Sequence, residues 1–447
     1  LLLALVAYVA SRVSILAFFT PLGSDIDVYC QMALNTVDLA QPPYTAANPV
    51  EYPPLGLRVL TLPRVVALKK VAPDEVSKQT FDRMVIEYAP VHRLFMLMFD
   101  AASLALFLAT VIRRRPEKLA VCAWMYVVLT TILSHVILER MDVGLLFFLA
   151  LWAAAWVRAP QSLRPMAWYT LAYAALGFGA AYKLIPALLM PPLVVGHWRA
   201  EGRRGWIKAG IGVLTFTVTC AAPFAIEAVR SGTAVLNVFT YHAERGTQIE
   251  SLYASLLLPL RALGMPMHTS YDHRALELVT SISPTLAASS AWLLIGLVAA
   301  STLWMVLTSR PVGQVTAYRV ALWLLPASLM VSKVLSPQFF IWALPMMVLL
   351  GLELFERRAL FGFLGLLVVM AVLTTLVFPY HYVPQISWHG EVNPHPLSYM
   401  DPLACGLLLA RNMVLVAVVV WTGVRVFGER SAAAATRKAF QTLSREV

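Results

Sequence analysis

Residues 94–112 read LFMLMFDAASLALFLATVI and run straight into Arg113-Arg114-Arg115-Pro116-Glu117-Lys118. A bilayer core about 30 Å thick takes roughly 20 apolar residues of helix. With its leading residues, from about 89 to 112, the stretch has the length of a membrane crossing, and the basic cluster that stops it marks the cytoplasmic side. Similar blocks recur along the whole 447-residue chain. Hydrophobic residues make up 59% of it and charged residues 13%, too few to coat a water-soluble surface of this size.

Working outward from this block gives a topology. Spans are expected at about 1–20, 89–112, 119–134 and 142–157. The block from Met166 to Gly196 is too long for one crossing and has basic loops at both ends, so it reads as two short helices breaking at Tyr182-Lys183. Further spans follow at about 208–226, 286–308, 318–334, 339–355, 359–378 and 403–427. The fold class expected is all-α integral membrane, with about 12 transmembrane helices within 1–427 and both termini cytoplasmic. A long first outer loop occupies about 21–88, and 428–447 is a basic cytoplasmic tail. The first block is long enough to span and no small-residue cleavage site follows it, so it is not read as a signal peptide.

The net charge of +11 raises the question of nucleic acid, but the basic residues cluster in short loops between apolar blocks, so the charge reads as topology and no nucleic-acid partner is expected. Cys30, Cys122, Cys220 and Cys405 show neither metal-ligand spacing nor a disulfide framework. All but one of the nine histidines fall on the expected outer side, where titratable and aromatic residues gather. A site belongs there.

The first outer loop opens with Gly23-Ser24-Asp25-Ile26-Asp27-Val28-Tyr29. A carboxylate held at a helix end on the membrane surface can act as general base on a hydroxyl when its surroundings tune it. Asp25 and Asp27 also suit capping of the helix that the stretch to Leu39 suggests. Next come Gln41-Pro42-Pro43-Tyr44 and Glu51-Tyr52-Pro53-Pro54-Leu55, whose proline pairs stiffen the loop by fixing φ. Leu57 to Lys70 then reads as an amphipathic interfacial helix with Arg58, Arg64, Lys69 and Lys70 toward lipid headgroups. Elsewhere, Arg12 and Asp100 fall near the middle of the first two spans, where a lone charge is costly, and are expected to pair. Glu139, Arg140 and Asp142 read as an ion pair at a tight outer turn.

The aspartate followed by Val28-Tyr29, then Pro43-Tyr44, then Glu51-Tyr52-Pro53-Pro54-Leu55, resembles the first outer loop of a family of bacterial GT-C glycosyltransferases. These are the relatives of the mycobacterial polyprenol-phosphate-mannose-dependent α-1,2-mannosyltransferases. Further matching motifs follow in order: Lys183-Leu184-Ile185-Pro186; His242-Ala243-Glu244-Arg245-Gly246 with Gln248 and Glu250-Ser251-Leu252; and Lys333-Val334-Leu335-Ser336-Pro337-Gln338-Phe339-Phe340-Ile341-Trp342. The resemblance runs from Arg12 to Pro345, and its specificity lies in the order and spacing of the motifs.

The resemblance implies a GT-C-like fold in the bacterial inner (plasma) membrane with its active site on the outer face. It implies a polyprenyl-phosphate-linked hexose donor, mannose by this family, and a glycolipid or glycan acceptor among the membrane lipids. The family's catalytic aspartate, four residues before the tyrosine of the Val-Tyr pair, falls on Asp25. Lys183, Arg245 and Lys333 each offer a cation where a lipid phosphate would arrive, although membrane-end cations also snorkel or pair with nearby acids. His242, Glu244 and Gln338 complete the expected donor-binding set. Asp27, Tyr29, Glu51, Tyr52, Arg140, Asp142, His381 and Trp388 form a second rank.

The last outer loop, from Tyr380 to His395, is rich in aromatics suited to stacking on sugar rings, and its histidines show no ordered ligand pair with a supporting carboxylate. No cofactor is required, and a divalent metal is not indicated. Two alternatives stay open. One is a pentose donor, such as decaprenyl-phosphate arabinofuranose, on the same fold. The other is a polytopic transporter or flippase, against which stand two unlike halves and polar residues gathered at one face, not the midplane.

Overall fold

The computed structural model describes residues 1–18, 25–66, 71–380 and 402–428. The expected basic tail, Lys69, Lys70, His381 and Trp388 lie outside the described residues.

The chain is a nearly all-helical membrane protein. The first helices are α1 (Leu2–Phe18), α2 (Ile26–Ala33), α3 (Pro54–Val66), α4 (Lys78–Arg114), α5 (Leu119–Ile132) and α6 (Asp142–Arg158). Then come α7 (Pro165–Tyr182), α8 (Met190–Glu201), α9 (Arg203–Ser231), α10 (Asn237–Glu244) and α11 (Leu252–Leu257). A two-stranded antiparallel hairpin, β1 (His268–Asp272) and β2 (Ala275–Val279), pairs His268 with Val279 and Asp272 with Ala275. The chain continues with α12 (Ser283–Leu307), α13 (Gln314–Val331), α14 (Phe339–Leu354), α15 (Arg357–Thr375) and α16 (Pro402–Gly428).

A helix stands at every expected span, and among the described residues seven helical segments are long and apolar enough to cross a membrane. Those seven contain α4, α6, α9, α12, α13, α15 and α16. The chain breaks after Tyr182, where Lys183 is extended at φ −159° and a short 3-10 turn, Ile185–Leu189, leads into α8.

Two helices form the centre. In α14 every side chain from Phe340 to Leu354 is buried, which is how a helix apolar on all sides behaves inside a bundle. α6 is buried over most of its length between α4 and α7. α9 lies at the rim, largely unburied, and turns Trp206, Ile211, Leu214 and Val218 outward.

Inside the bundle, Arg12 and Asp100 do meet. Arg12 Nε donates to Asp100 Oδ2 at 2.7 Å and Nη2 to Oδ1 at 3.2 Å. Tyr8 and Tyr126 donate to the same carboxylate at 2.7 and 2.8 Å, and Arg12 Nη2 also reaches Thr130 at 2.6 Å. Every oxygen of a carboxylate that has lost its water is thus answered, and the cluster ties α1, α4 and α5 together.

In the first loop, the Ser77 hydroxyl caps α4 by accepting from the Thr80 amide and so starts the helix well before the apolar block expected at about 89–112. One expectation is corrected: the basic residues of α3 pair with acids of the protein in place of headgroups. Arg64 makes a two-pronged bond to Asp38 at 2.6 and 3.0 Å, and Arg58 reaches the fully buried Glu227 of α9 at 2.5 Å. Buried acids on neighbouring elements captured these cations. Helical periodicity cannot reveal such partners, and α3 is clamped to the protein.

Removing Asp100 should be costly. Asp100→Ala leaves Arg12 charged and buried, with an expected loss of about 3–5 kcal/mol. The double substitution Arg12→Met with Asp100→Leu should recover most of it. Thermal unfolding of the purified protein in detergent measures both.

Candidate active site

The candidate site is assembled at the end of the bundle where α2, the α5–α6 turn, the break after α7 and the 242–250 segment meet. Asp25 stands at the N-cap position of α2, yet its side chain makes no capping bond. Its Oδ2 is ion-paired with Arg140 Nη1 instead, with the Tyr29 hydroxyl 3.4 Å away. Among the described residues Oδ1 accepts no hydrogen bond, and the side chain keeps 27% of its exposure. Asp25 is therefore oriented from one side and open on the other. Tyr29, one helical turn on, is fully buried edge-on to Tyr52 with centroids 5.9 Å apart. Burial pushes both phenols well above the usual tyrosine range, so they remain neutral.

Arg140 lies on the turn between α5 and α6, with its guanidinium over the Phe378 ring at 5.8 Å. The expected ion pair within that turn does not form. Glu139 turns away to Arg93 of α4 at 2.6 Å, which leaves Arg140 to Asp25. Asp142, two residues further, starts α6 with no exposure and receives Lys183 Nζ at 2.6 Å. Lys183 also sits 4.6 Å above the Phe339 ring. Close packing brings them together. Tyr182 donates to the Met141 carbonyl at 2.7 Å, and any Cβ at Gly144 would collide with the Tyr182 hydroxyl. Only glycine lets the end of α7 press onto the start of α6.

A second group adjoins the first. Glu51 accepts from the Tyr241 hydroxyl at 3.2 Å, its carbonyl lies 3.0 Å from His242 Nε2, and Arg274 is 4.0 Å from its carboxylate. Arg274 is in the turn of the β hairpin, where His273 and Arg274 both take positive φ, 47° and 57°. Tyr271 of β1 feels the charges of Arg274, Glu51, Arg140 and Arg245, and burial pushes its phenol up to about 12. The charges of Arg245, Glu51 and Lys183 likewise reach the His242 ring.

Lys333, just beyond α13, donates to the Ala243 carbonyl at 2.8 Å and accepts the Gln248 amide on its own carbonyl at 2.9 Å. Burial and the nearby Arg245 lower its pKa, while Glu277 works in the opposite direction. Glu277 Oε1 accepts the Gly246 amide at 2.8 Å, and the Gln248 side chain bonds both Ser336 and the Leu335 amide. The motif segments 242–250 and 333–342 are thus stitched together. Arg245 packs over the Tyr241 ring at 5.8 Å.

Other expected residues stand apart from this network. Asp27 is exposed, and partial burial together with Asp82 raises its carboxyl pKa. Glu244 is exposed and makes no hydrogen bond or ion pair among the described residues. Gln338 occupies the N-cap position of α14 without a side-chain capping bond. Glu250 serves the frame: it is buried against Arg411 of α16 at 2.6 Å. Among the described residues no three His, Cys, Asp or Glu side chains gather as a metal set.

Sequence reasoning passed over Tyr241, Tyr271, Arg274 and Glu277. The hairpin turn carries His273-Arg274, where a turn signal would be Asn-Gly or Asp-Gly, so nothing local announced it.

No family model matches the sequence, and no curated protein matches it. Among solved structures, the chain is similar to ArnT from Cupriavidus metallidurans bound to undecaprenyl phosphate, with a TM-score of 0.42 and 14% identity. It is similar also to the apo state of the same protein, with a TM-score of 0.42 and 15% identity. Each alignment covers 96% of this chain and 77% of the other.

A Cβ at position 246 would strike the Glu277 carboxylate. Gly246→Ala should therefore break the Gly246–Glu277 bond and loosen the hairpin, at a cost of about 1–3 kcal/mol. Faster limited proteolysis within 268–279, with the rest of the bundle resistant, is the expected readout.

Proposed function

We propose that this protein is a membrane glycosyltransferase that moves a hexose, mannose in the first instance, from a polyprenyl-phosphate donor to a hydroxyl of a glycolipid or glycan acceptor. The site would face the outer side of the inner membrane, with both termini in the cytoplasm. The observation that carries this reading is Asp25: a carboxylate paired with Arg140 that keeps 27% of its exposure, with Lys183 bound to Asp142 two residues beyond that arginine. The order of motifs that resembles the polyprenol-phosphate-mannose-dependent enzymes supports it.

In this reading Asp25 Oδ1 takes the proton of the acceptor hydroxyl as that oxygen attacks the anomeric carbon. The bond from that carbon to the phosphate oxygen breaks, and the phosphodiester monoanion leaves as a phosphate monoester dianion. The added negative charge needs neutralising in a low-dielectric place, and Lys183, Arg245 and Lys333 supply cations for it. Lys183 would exchange part of its bond to Asp142 for the donor phosphate, with the Phe339 ring holding its ammonium in place. Glu51, Tyr52, His242 and Tyr271 offer hydrogen-bonding groups suited to sugar hydroxyls. This scheme asks nothing of a metal.

The test is transfer by the reconstituted protein from polyprenyl-phosphate mannose to a mixed envelope glycolipid fraction, with the arabinofuranose donor in parallel. Asp25→Asn should lower the rate by about 10²–10⁴-fold while the protein still inserts and unfolds normally. The exposed neighbour, Asp27→Asn, should retain most activity. Transfer undiminished in Asp25→Asn would overturn the assignment, and transfer from the pentose donor alone would change the sugar but keep the mechanism.

A further inference from the structure

A cavity of about 670 Å³ lies at the end of the bundle opposite Asp25, and we propose that it binds an organic phosphate anion anchored by Arg199. Its walls are Arg114 at the end of α4, Trp156 of α6, Arg199 of α8, and Gln314, Thr316 and Tyr318 in the opening turns of α13. The length of α13 separates it from Lys333, which at 1.5 Å per residue is about 27 Å. It is a different place from the transfer site.

Two arginines and no acidic residue line the cavity; behind its wall Glu201 accepts from the Gln314 side chain at 3.1 Å, and its charge is met by Lys208 at 2.6 Å. Arg114 is answered by Glu353 behind the wall at 2.7 and 2.8 Å, a carboxylate that Arg319 also approaches at 3.6 Å. Arg199 has no such counterpart. Its Nη2 donates to the Thr308 and Arg310 carbonyls at 2.8 and 3.2 Å. Among the described residues its Nε and Nη1 donate to nothing, and no carboxylate lies within ion-pair distance. A tethered guanidinium with two free donors suits phosphate, which it can grip through paired bonds.

The wall adds a second source of positive potential. The first bond inside α13 runs from the Ala317 amide to the Gly313 carbonyl at 3.0 Å, so the amides of Gln314, Val315 and Thr316 precede the helical ladder. Trp156 and Tyr318 provide apolar surface for the organic part, and the volume falls within the roughly 300–1,000 Å³ of small-ligand sites. The chemistry called for is a phosphate ester, whether the headgroup of a membrane phospholipid or a soluble metabolite.

The experiment titrates the full chain in detergent with dioctanoyl phosphatidylglycerol and, separately, with glycerol 1-phosphate, reading dissociation constants by native mass spectrometry. Arg199→Gln should weaken binding by about tenfold or more. Because Arg199 also ties down the 308–310 linker, Thr316→Asp is the companion variant. It places a carboxylate in the wall at a helical first turn that tolerates acids, and should weaken binding similarly with the unfolding midpoint unchanged. Binding of the lipid alone assigns a membrane source, binding of glycerol phosphate alone a soluble one, and binding of both a site satisfied by the ester. If neither probe binds, or if Thr316→Asp binds like the native protein, the proposal is wrong.

Discussion

Everything at the candidate-site end of this molecule depends on one constraint: a charge placed among apolar helices must find an opposite charge or a full set of hydrogen bonds. Taking an ion out of water costs several kcal/mol even after relaxation. The chain meets this with pairs whose members are far apart in sequence: Arg12 with Asp100, Arg58 with Glu227, Arg64 with Asp38, Arg93 with Glu139, Arg411 with Glu250. Buried pairs of this kind add little net stability, but a misaligned register strands a charge, so they penalise wrong packings. They are the joints that hold the first loop and the 242–250 segment against the bundle.

The two pairs nearest the site differ from the most enclosed of these joints. Arg12, Asp100, Arg411 and Glu250 are enclosed; the Asp100 carboxylate is held by Arg12, Tyr8 and Tyr126, and Glu250 by Arg411 at its carboxylate and by Arg411 and Asn412 at its carbonyl. Asp25 and Arg140 instead both keep some exposure, and so does Lys183 of the Asp142 pair. A pair that is neutral overall but unsaturated on one side can rest without a ligand and exchange a partner when one arrives. Fixed dipoles and charges of this sort need no rearrangement at the moment of reaction, which is where electrostatic catalysis gains most. The same logic separates Arg199, whose partners are only carbonyls, from Arg114, whose charge is already matched.

Much of the candidate site was legible in the sequence because its motifs sit at the ends of apolar blocks. Asp25, Lys183, His242, Arg245 and Lys333 all fall at helix ends or just past them; Arg140 and Asp142 of one turn hold Asp25 and Lys183, and Lys333 bonds the Ala243 carbonyl between His242 and Arg245. Their partners were not legible. Arg140 faces Asp25, not its neighbour Glu139, because Arg93 of another helix claims Glu139. The hairpin residues Tyr271 and Arg274 joined the site through a turn with no sequence signature.

The sequence by itself determined the class of protein, the positions of its helices and the break at Lys183, since hydrophobic block length and basic flanks are local properties that the bilayer reads directly. Only the tertiary structure decided which charge meets which. It left Asp25 without a capping bond and paired it with Arg140, clamped α3 to the bundle and left Arg199 without a counter-charge. The physical reason is that ion pairing is a matter of distance in space, and helices that cross the same membrane in many possible arrangements fix those distances only when they pack.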